Sequence, residues 1–440
     1  MLRSLLAAAL ATAAALYSLD AHAQNQVLYG LIDASGSYSR PPGGDYRWKL
    51  DSGNMSRSFL GFRGTEDLGG GLRAVYRLES YFSADTGSTG GYGGSAFWGR
   101  DANVGLSGAF GTTVLGRNVS PLYLTTITFN PFGESFGFSP STRQYFAAAV
   151  IGDRSWNNSV AYLNNPRDPL RVHLAANARE GSGGSVDNGH NFGGSMSYLS
   201  GPFAVALAWE KIQNSALAVP AGFDQQTVTQ LSATYDFKLV RLYGQFGRVY
   251  TDATLNSKHV LFQFGAAVPI GQGLILAAYG TSEMRTDFAQ STDRIYSLGY
   301  DYFVSKNIDI YVAAMHESVF QLSSGKSVAG GGSPAVLTVV VSSGRRRGSG
   351  EARRGALLRS CPPIRGCAAA LLLILRYAAR PTAPLPNCRA QGHRLPRAWG
   401  GPRSEVLGGE GRRRRPSGDM SGGGRPVPEA IQRLTDEATC

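Results

Sequence analysis

Short segments in which apolar and polar residues alternate, bounded by turn residues, are the feature that most constrains how this chain can fold. In the segment that begins at Gly71, the side chains of Leu72, Ala74 and Leu78 share one face. Arg77 and Glu79 lie on the opposite face. A repeat of two residues is typical of a β-strand with one apolar face, so the pattern predicts strands.

About 15 such segments, each of roughly ten residues, can be placed on the sequence, and no helix is predicted between them. They begin near Gln26, Asn54, Gly71, Ser95, Thr112, Arg154, Pro169, Asn191, Pro202, Gln226, Lys238, Lys258, Gly273, Asp293 and Lys306. Very short gaps, such as 69–71 and 200–202, alternate with long polar gaps, such as 36–53 and 213–225. Tight turns at one end and long loops at the other are typical of a meandering transmembrane barrel.

A soluble β-sandwich would show the same alternation, but its polar face would be rich in Lys and Glu and poor in aromatic residues. In this chain many strands begin or end with an aromatic residue, as expected for the aromatic girdles of a barrel in a membrane. The residues concerned are Tyr29, Tyr76, Phe82, Tyr198, Tyr235, Tyr243, Phe264, Tyr279, Tyr296 and Tyr302. We therefore predict an all-β fold, a transmembrane antiparallel up-and-down β-barrel.

The N-terminal segment Met1–Ala23 has the form of a secretory signal peptide. Arg3 provides a positive charge, Leu5–Leu16 is apolar, and Ala21-His22-Ala23 has the small-x-small pattern of a cleavage site. The apolar run is about 12 residues long, whereas a helix needs roughly 20 to cross a bilayer. The sequence therefore predicts an exported protein that begins at Gln24 after cleavage.

The net charge of +12 is carried entirely by the C-terminal part of the chain. Residues 344–440 contain 19 Arg, no Lys and 7 acidic residues, so residues 1–343 sum to zero. All four cysteines also lie in this part. The basic balance therefore gives no reason to expect a nucleic-acid partner for the folded region.

No motif in the sequence nominates a nucleophile–base pair or a set of metal ligands. Gly69–Ala74 fits G-x-G-x-x-A, but it lies between two strands without a following helix, so it is expected to form a tight turn. The six histidines are scattered without ligand spacing, and H-E-x-x-H does not occur. We expect no enzyme activity, no catalytic residues, no metal and no cofactor.

Several motifs in the strands resemble the general diffusion porins of Gram-negative outer membranes, especially the betaproteobacterial type. They are Tyr29–Asp33, Leu60–Leu72 ("LGFRGTEDLGGGL"), Val104–Gly111, Leu115–Arg117 and Asn158–Tyr162. The resemblance extends from about Gln26 to Val341, and the string "FRGTEDLGGGL" in its strand–turn–strand setting carries most of it. It implies a barrel of about 16 strands over residues 24–343, a homotrimer, and a third loop that folds inward and narrows the channel.

The resemblance places the constriction loop at about Asn118–Ile151. Between Asp101 and Asp153 this part of the chain holds one carboxylate, Glu134. Its setting, Pro131-Phe132-Gly133-Glu134, is similar to the Pro-Glu-Phe-Gly pattern of the family but differs in order. We expect Glu134 to face the pore, with a solvated loop position as the alternative.

Arg77, Arg100 and Arg154 are the candidates for an opposing basic row. Arg77 shares the polar face of its strand with Glu79, and we expect both to line the pore constriction. Arg100 alternates with Val104 and Leu106, which alone would direct it to lipid at a cost of about 2–4 kcal/mol, so the lumen or a strand end is favoured.

The family resemblance implies pore arginines at Arg100 and Arg154. Many members also carry an Arg at the position of Phe59, and Arg57, on the same face, is the candidate replacement. Each arginine has an alternative as an ordinary lumen or loop residue. With three or four basic residues against one loop acid, we expect a mild preference for anions.

The resemblance predicts an outer-membrane channel for passive diffusion of small hydrophilic solutes and ions. Its expected partners are outer-membrane lipid and lipopolysaccharide. A barrel that acts mainly as an adhesin or scaffold, or one that carries a hydrolase site, is the alternative.

Family members end in a closing strand with a terminal aromatic residue. Here Ala335–Val341 would supply only part of that strand before the Arg-rich segment begins at Arg345. We expect residues 344–440 to be disordered and translated out of frame, which would leave the last strand incomplete and a sheet edge unpaired in lipid. The alternative is a basic extension that binds lipopolysaccharide or peptidoglycan.

Overall fold

A computed structural model of the chain describes residues 26–39, 45–90, 96–178, 186–187, 190–215, 219–323, 326–332 and 335–344. The expected signal peptide, Met1–Ala23, and the segment beyond Gly344 lie outside these residues, so their predicted states stay predictions. No helix in the described part of the chain is long and apolar enough to cross a membrane.

Strands form most of the described part of the chain, and two helices and one π-helical turn lie between two of them. The strands are β1 (Val27–Ser39), β2 (Arg47–Ser52), β3 (Phe59–Gly69), β4 (Leu72–Tyr81), β5 (Asp101–Gly108), β6 (Gly111–Val119), β7 (Ser155–Leu163), β8 (Leu170–Asn177), β9 (Val186–Asp187), β10 (Phe192–Ser200), β11 (Phe203–Ile212), β12 (Asn214–Ser215), β13 (Gln225–Asp236), β14 (Arg241–Asp252), β15 (Ser257–Ile270), β16 (Gly273–Arg285), β17 (Ala289–Phe303), β18 (Ile308–Ser323), β19 (Lys326–Gly332) and β20 (Ala335–Gly344). The helices are α1 (Pro121–Thr128) and α2 (Pro140–Arg143), followed by a π-helical turn (Gln144–Ala149).

Sixteen antiparallel strands close into an up-and-down barrel, as predicted. Four of the strands lie outside this ring: β2 and β19 pair with the C-terminal ends of β1 and β18, whereas β9 pairs with β12. Each of the remaining strands pairs with its predecessor and its successor in the ring. The circle closes because β20 pairs with β18 on one side and with β1 on the other.

The closing strand differs from the sequence-based expectation. Its ten residues, Ala335–Gly344, pair along their whole length with Tyr29–Tyr38 of β1, and seven of them pair with Ile308–Ala314 of β18. The strand thus continues three residues beyond Val341, because Ser342, Ser343 and Gly344 can still donate and accept backbone hydrogen bonds. The expected unpaired sheet edge is wrong for the described residues.

The predicted strand starts agree closely with the observed ones, since most lie within about three residues. The segments expected near Asn54 and Ser95 begin later, at Phe59 and Asp101, because both are preceded by irregular loop residues. Connections alternate in length, as predicted: two residues join β5 to β6, whereas 35 residues, 120–154, join β6 to β7. We call this long connection the third loop.

The two faces of the barrel wall differ in polarity in the way that the alternation predicts. On β3, Leu60 and Phe62 are each 44% exposed on the outer face, whereas Phe59 and Gly61 are buried on the inner face. Tyr198, Tyr235 and other aromatic residues near strand ends are exposed on the outside, as a girdle requires. Two of the predicted girdle residues instead point inward, because Tyr29 and Tyr243 are buried on the lumen side.

Candidate functional site

The third loop folds into the barrel and lies along its inner wall. Hydrogen bonds join it to inward-facing side chains of β11, β13, β14, β15, β17 and β18. A segment that contacts so many consecutive strands on their inner faces narrows the lumen. The loop that the sequence predicts at 118–151 is therefore found in the lumen.

Helix α1, which the sequence pattern did not predict, begins the third loop. Ser120 is its N-cap and accepts a hydrogen bond from the Tyr123 amide at 3.1 Å, while Pro121 occupies the first helical turn. The buried Glu210 carboxylate accepts a further bond from the Leu122 amide at 2.7 Å. A carboxylate at a helix N-terminus is favourable because it faces the positive end of the helix dipole. The Ser-Pro pair was the local signal for this helix.

A row of buried glutamines on the inner wall holds the rest of the loop. An amide side chain can both donate and accept, so it suits a loop backbone that needs both partners. Thr126 is held by two of them, since its hydroxyl donates to Gln230 at 2.8 Å and its carbonyl accepts from Gln245 at 2.9 Å. The other members are Gln226, which binds Ala149 and Ile151, and Gln263, which binds Ser141.

Inward-facing glycines give the loop the space that it occupies. A Cβ atom at Gly265 would lie 2.7 Å from Pro131, and one at Gly280 would overlap with Pro140. At Gly247 the hydroxyl group of Tyr145 already fills the space that a Cβ atom would need. The absence of a side chain at these three positions, on the inner faces of β14, β15 and β16, therefore allows the loop to approach the wall closely.

Gly247→Val is expected to displace the third loop from β14 and to lower the free energy of unfolding by about 1–3 kcal/mol, the usual cost of overpacking. Gly244→Val, three residues earlier on the same strand, is the matched control, because nothing lies within 4 Å of its Cβ position. Denaturant unfolding followed by tryptophan fluorescence measures both variants. Equal stability of the two proteins would contradict the proposed close packing.

The tip of the third loop meets β4 and β5 at a cluster of charged residues. Arg77 and Glu79 project from the same face of β4, as their parity predicts, and the Arg77 Nε atom lies 3.8 Å from Glu79 Oε1. Arg77 Nη1 also lies 3.3 Å from Asp101 Oδ2. Glu79 further accepts a hydrogen bond from the hydroxyl group of Tyr29. The wall side of the cluster is therefore a paired network of both signs.

Arg100 links the wall to the loop. It lies just before β5 begins at Asp101, so strand alternation does not fix its direction, and its side chain turns into the lumen. Its guanidinium group forms an ion pair with Glu79, and its Nη2 atom lies 3.5 Å from Glu134 Oε2. Glu134 is 8% exposed, so its carboxylate is not the fully solvated loop acid of the alternative interpretation.

Two further arginines pack on one aromatic ring. The guanidinium carbon of Arg154 lies 4.1 Å from the centroid of the Tyr81 ring, and that of Arg57 lies 5.5 Å from it. Arg100 covers the ring of Phe59 at 4.2 Å. The aromatic ring of Phe59 therefore supports the guanidinium group of Arg100.

The structure brings all six sequence-predicted site residues into one part of the lumen: Arg57, Arg77, Glu79, Arg100, Glu134 and Arg154. Sequence reasoning missed Asp101 and Tyr81. Strand parity could have found Tyr81, which shares the inner face of β4 with Arg77 and Glu79. Burial raises the pKa of Tyr123 in α1, and the nearby Glu134 raises it further, so this loop tyrosine stays neutral.

Comparison with known proteins agrees with this architecture. The outer membrane porin protein 32 of Delftia acidovorans is 29% identical over 330 residues, which cover 71% of this chain and 88% of that protein. An anion-selective porin from Comamonas acidovorans superposes with a TM-score of 0.61 at 22% identity, covering 72% of this chain and 99% of that one. The trimer form of OmpT of Vibrio cholerae superposes with a TM-score of 0.56 at 13% identity, covering 72% of this chain and 99% of that one.

The family comparison covers more than half of the sequence. The profile described as Gram-negative porin matches residues 7–319, which include the strands from β1 to β17 and the third loop. The chain belongs to the Gram-negative porin family.

Proposed function

We propose that the cluster around Arg100 is the constriction of this channel and that it favours small anions over cations. The protein is an outer-membrane porin, which forms a channel for passive diffusion of small hydrophilic solutes, and it is not an enzyme. The proposal concerns where the channel is narrowest and which charge it prefers.

The balance of charge supports the preference for anions. Four guanidinium groups, those of Arg57, Arg77, Arg100 and Arg154, share the cluster with the carboxylates of Glu79, Asp101 and Glu134. This leaves an excess of one positive charge, smaller than the sequence alone indicates because Asp101 and Glu79 join Glu134. Charged side chains at a narrow point of a pore select among ions by their sign.

The proposal depends mainly on one observation, the environment of the Arg154 guanidinium group. Arg77 and Arg100 have carboxylates within 4 Å, whereas Arg154 has no such ion pair among the described residues and stacks on Tyr81 instead. A cation held by an aromatic face keeps its full charge, and an arginine cannot be deprotonated in proteins. Its field therefore acts on ions that pass the constriction. The Comamonas acidovorans porin, described as anion-selective, has the same fold.

Reversal potentials of the purified protein in planar bilayers under a tenfold KCl gradient test the proposal. We expect stable conductance steps and a permeability ratio of chloride to potassium above one. A ratio below one would refute the preference for anions. An absence of conductance steps from folded protein would favour the alternative of an adhesin or scaffold.

A homotrimer that binds lipopolysaccharide completes the proposed function. The trimer form of the OmpT structure, which shares this fold, supports the oligomeric state. Light scattering of the detergent-solubilised protein, with and without added lipopolysaccharide, tests both points. A monomeric mass would contradict the homotrimer. A mass that does not change when lipopolysaccharide is added would contradict its binding.

A further inference from the structure

Asp33, the last residue of the motif Tyr29–Asp33, lies on the inner face of β1 and is fully buried. Its carboxylate is shielded from the open lumen, and none of its described hydrogen-bond partners is an arginine. Oδ2 accepts bonds from the amides of Met55 at 2.8 Å and Ser56 at 2.9 Å. The hydroxyl group of Tyr311 lies 3.1 Å from Oδ1 and 3.2 Å from Oδ2. Charge-assisted bonds of this kind are about twice as strong as neutral ones.

The backbone of Asp33 binds the same turn, which we define as residues 52–58 and call the first-loop turn. The carbonyl group of Asp33 accepts from the Gly53 amide at 3.0 Å, and its amide donates to the Ser58 hydroxyl at 2.9 Å. The first-loop turn is thus fixed to β1 from both sides, by main-chain and side-chain groups of one residue.

The first-loop turn also binds the tip of the third loop. The carbonyl oxygen of Asn54 accepts from the Ser135 hydroxyl at 2.7 Å and from the Gly137 amide at 3.2 Å. The approach is close, since a Cβ atom at Gly137 would lie 2.6 Å from that oxygen. Ser135 is fully buried and directly follows Glu134, which reaches Arg100.

We propose that Asp33 is a positioning residue for the constriction: through the first-loop turn and Ser135 it sets the place of Glu134 opposite Arg100. Tyr311 acts with it, because its hydroxyl group also accepts from the Met55 amide at 3.1 Å. This inference rests on the proposed function of the cluster. It assigns to the carboxylate of the N-terminal motif a role in channel selectivity, although the carboxylate itself does not face the charged cluster.

A double-mutant cycle between Asp33→Asn and Glu134→Gln tests the inference in the full-length protein. Residues in one hydrogen-bond network are coupled, so we expect Asp33→Asn to change the chloride-to-potassium permeability ratio by about twofold or more in the wild-type background. In the Glu134→Gln background the same substitution should have little further effect. Equal shifts in both backgrounds would mean that Asp33 affects the permeability ratio by its own charge and not through Glu134. No shift in either background would mean that Asp33 does not affect the permeability ratio. Both outcomes overturn the proposal.

Two charge-neutral variants separate positioning from charge and remain informative if Asp33→Asn does not fold. Tyr311→Phe removes a bond to Asp33, and Ser135→Ala removes a bond to the carbonyl oxygen of Asn54. Both should shift the permeability ratio in the wild-type background and lose that effect in Glu134→Gln. Variants that fold, as judged by heat-modifiable gel mobility, and leave the ratio unaltered would overturn the proposal. The wild-type ratio separately tests the proposed function.

Discussion

Replacing Arg154 with glutamate is expected to lower the chloride-to-potassium permeability ratio about tenfold and to convert the channel to a preference for cations. Two unit charges about 4 Å apart interact by about 1 kcal/mol in water, and this substitution changes the charge by two units. The energy of a passing anion therefore rises by about 2 kcal/mol, while that of a cation falls, before salt screening reduces both. A tenfold change in the ratio requires about 1.4 kcal/mol.

Arg154 is the appropriate site because no carboxylate depends on it for an ion pair in the described residues. Arg100, by contrast, binds Glu79 and Glu134, so its removal would leave buried carboxylates without their partner and destabilise the protein. Substitution of Arg154 removes mainly its stacking on Tyr81. Loss of such a contact is worth about 0.5–2 kcal/mol, which a folded barrel is expected to tolerate.

Arg285→Glu serves as the matched control, because it makes the same charge change at the end of β16. The Arg285 side chain is 65% exposed and pairs with Glu283, so neither stability nor ion passage should depend strongly on it. Reversal potentials of both variants in the same KCl gradient provide the comparison. If the ratio falls equally in both, general surface charge and not the constriction determines selectivity.

The wall of the barrel could be predicted from the sequence because it depends on a local pattern. A repeat of two residues places Leu60 and Phe62 outside and Arg77 and Glu79 inside, whatever the rest of the chain does. Beyond the end of a strand, the alternation no longer determines the direction of a side chain. Arg100 would face lipid by extrapolation, but it precedes the first residue of β5 and turns inward to Glu79.

The contacts of the third loop could not be predicted in the same way, because they join residues that are distant in sequence. Alternation places Gln230 and Gln245 on the inner face, but only the folded chain shows that both bind Thr126. Asp33 was visible as part of a motif, whereas its partner Tyr311 lies 278 residues away. The sequence pattern gives Asp101 no site role, although its carboxylate pairs with Arg77.

A chain that ends at Gly332 is expected to form no folded barrel, whereas a chain that ends at Gly344 is expected to fold like the full-length protein. The first truncation removes β20, which pairs with Tyr29–Tyr38 of β1 and with Ile308–Ala314 of β18. Both stretches would then present unpaired amide and carbonyl groups in the hydrocarbon region, at several kcal/mol for each group. Summed over these groups, the cost exceeds the net free energy of unfolding of a folded protein.

The second truncation removes only residues 345–440 and keeps every described backbone pair of the closing strand. Heat-modifiable gel mobility and single-channel conductance after refolding in detergent distinguish the two chains. If the chain ending at Gly344 also fails to fold, residues beyond it contribute to closure, and the expectation that they are dispensable is wrong. If the chain ending at Gly332 folds and conducts, β1 and β18 must find another pairing, and β20 is not the strand that closes the barrel.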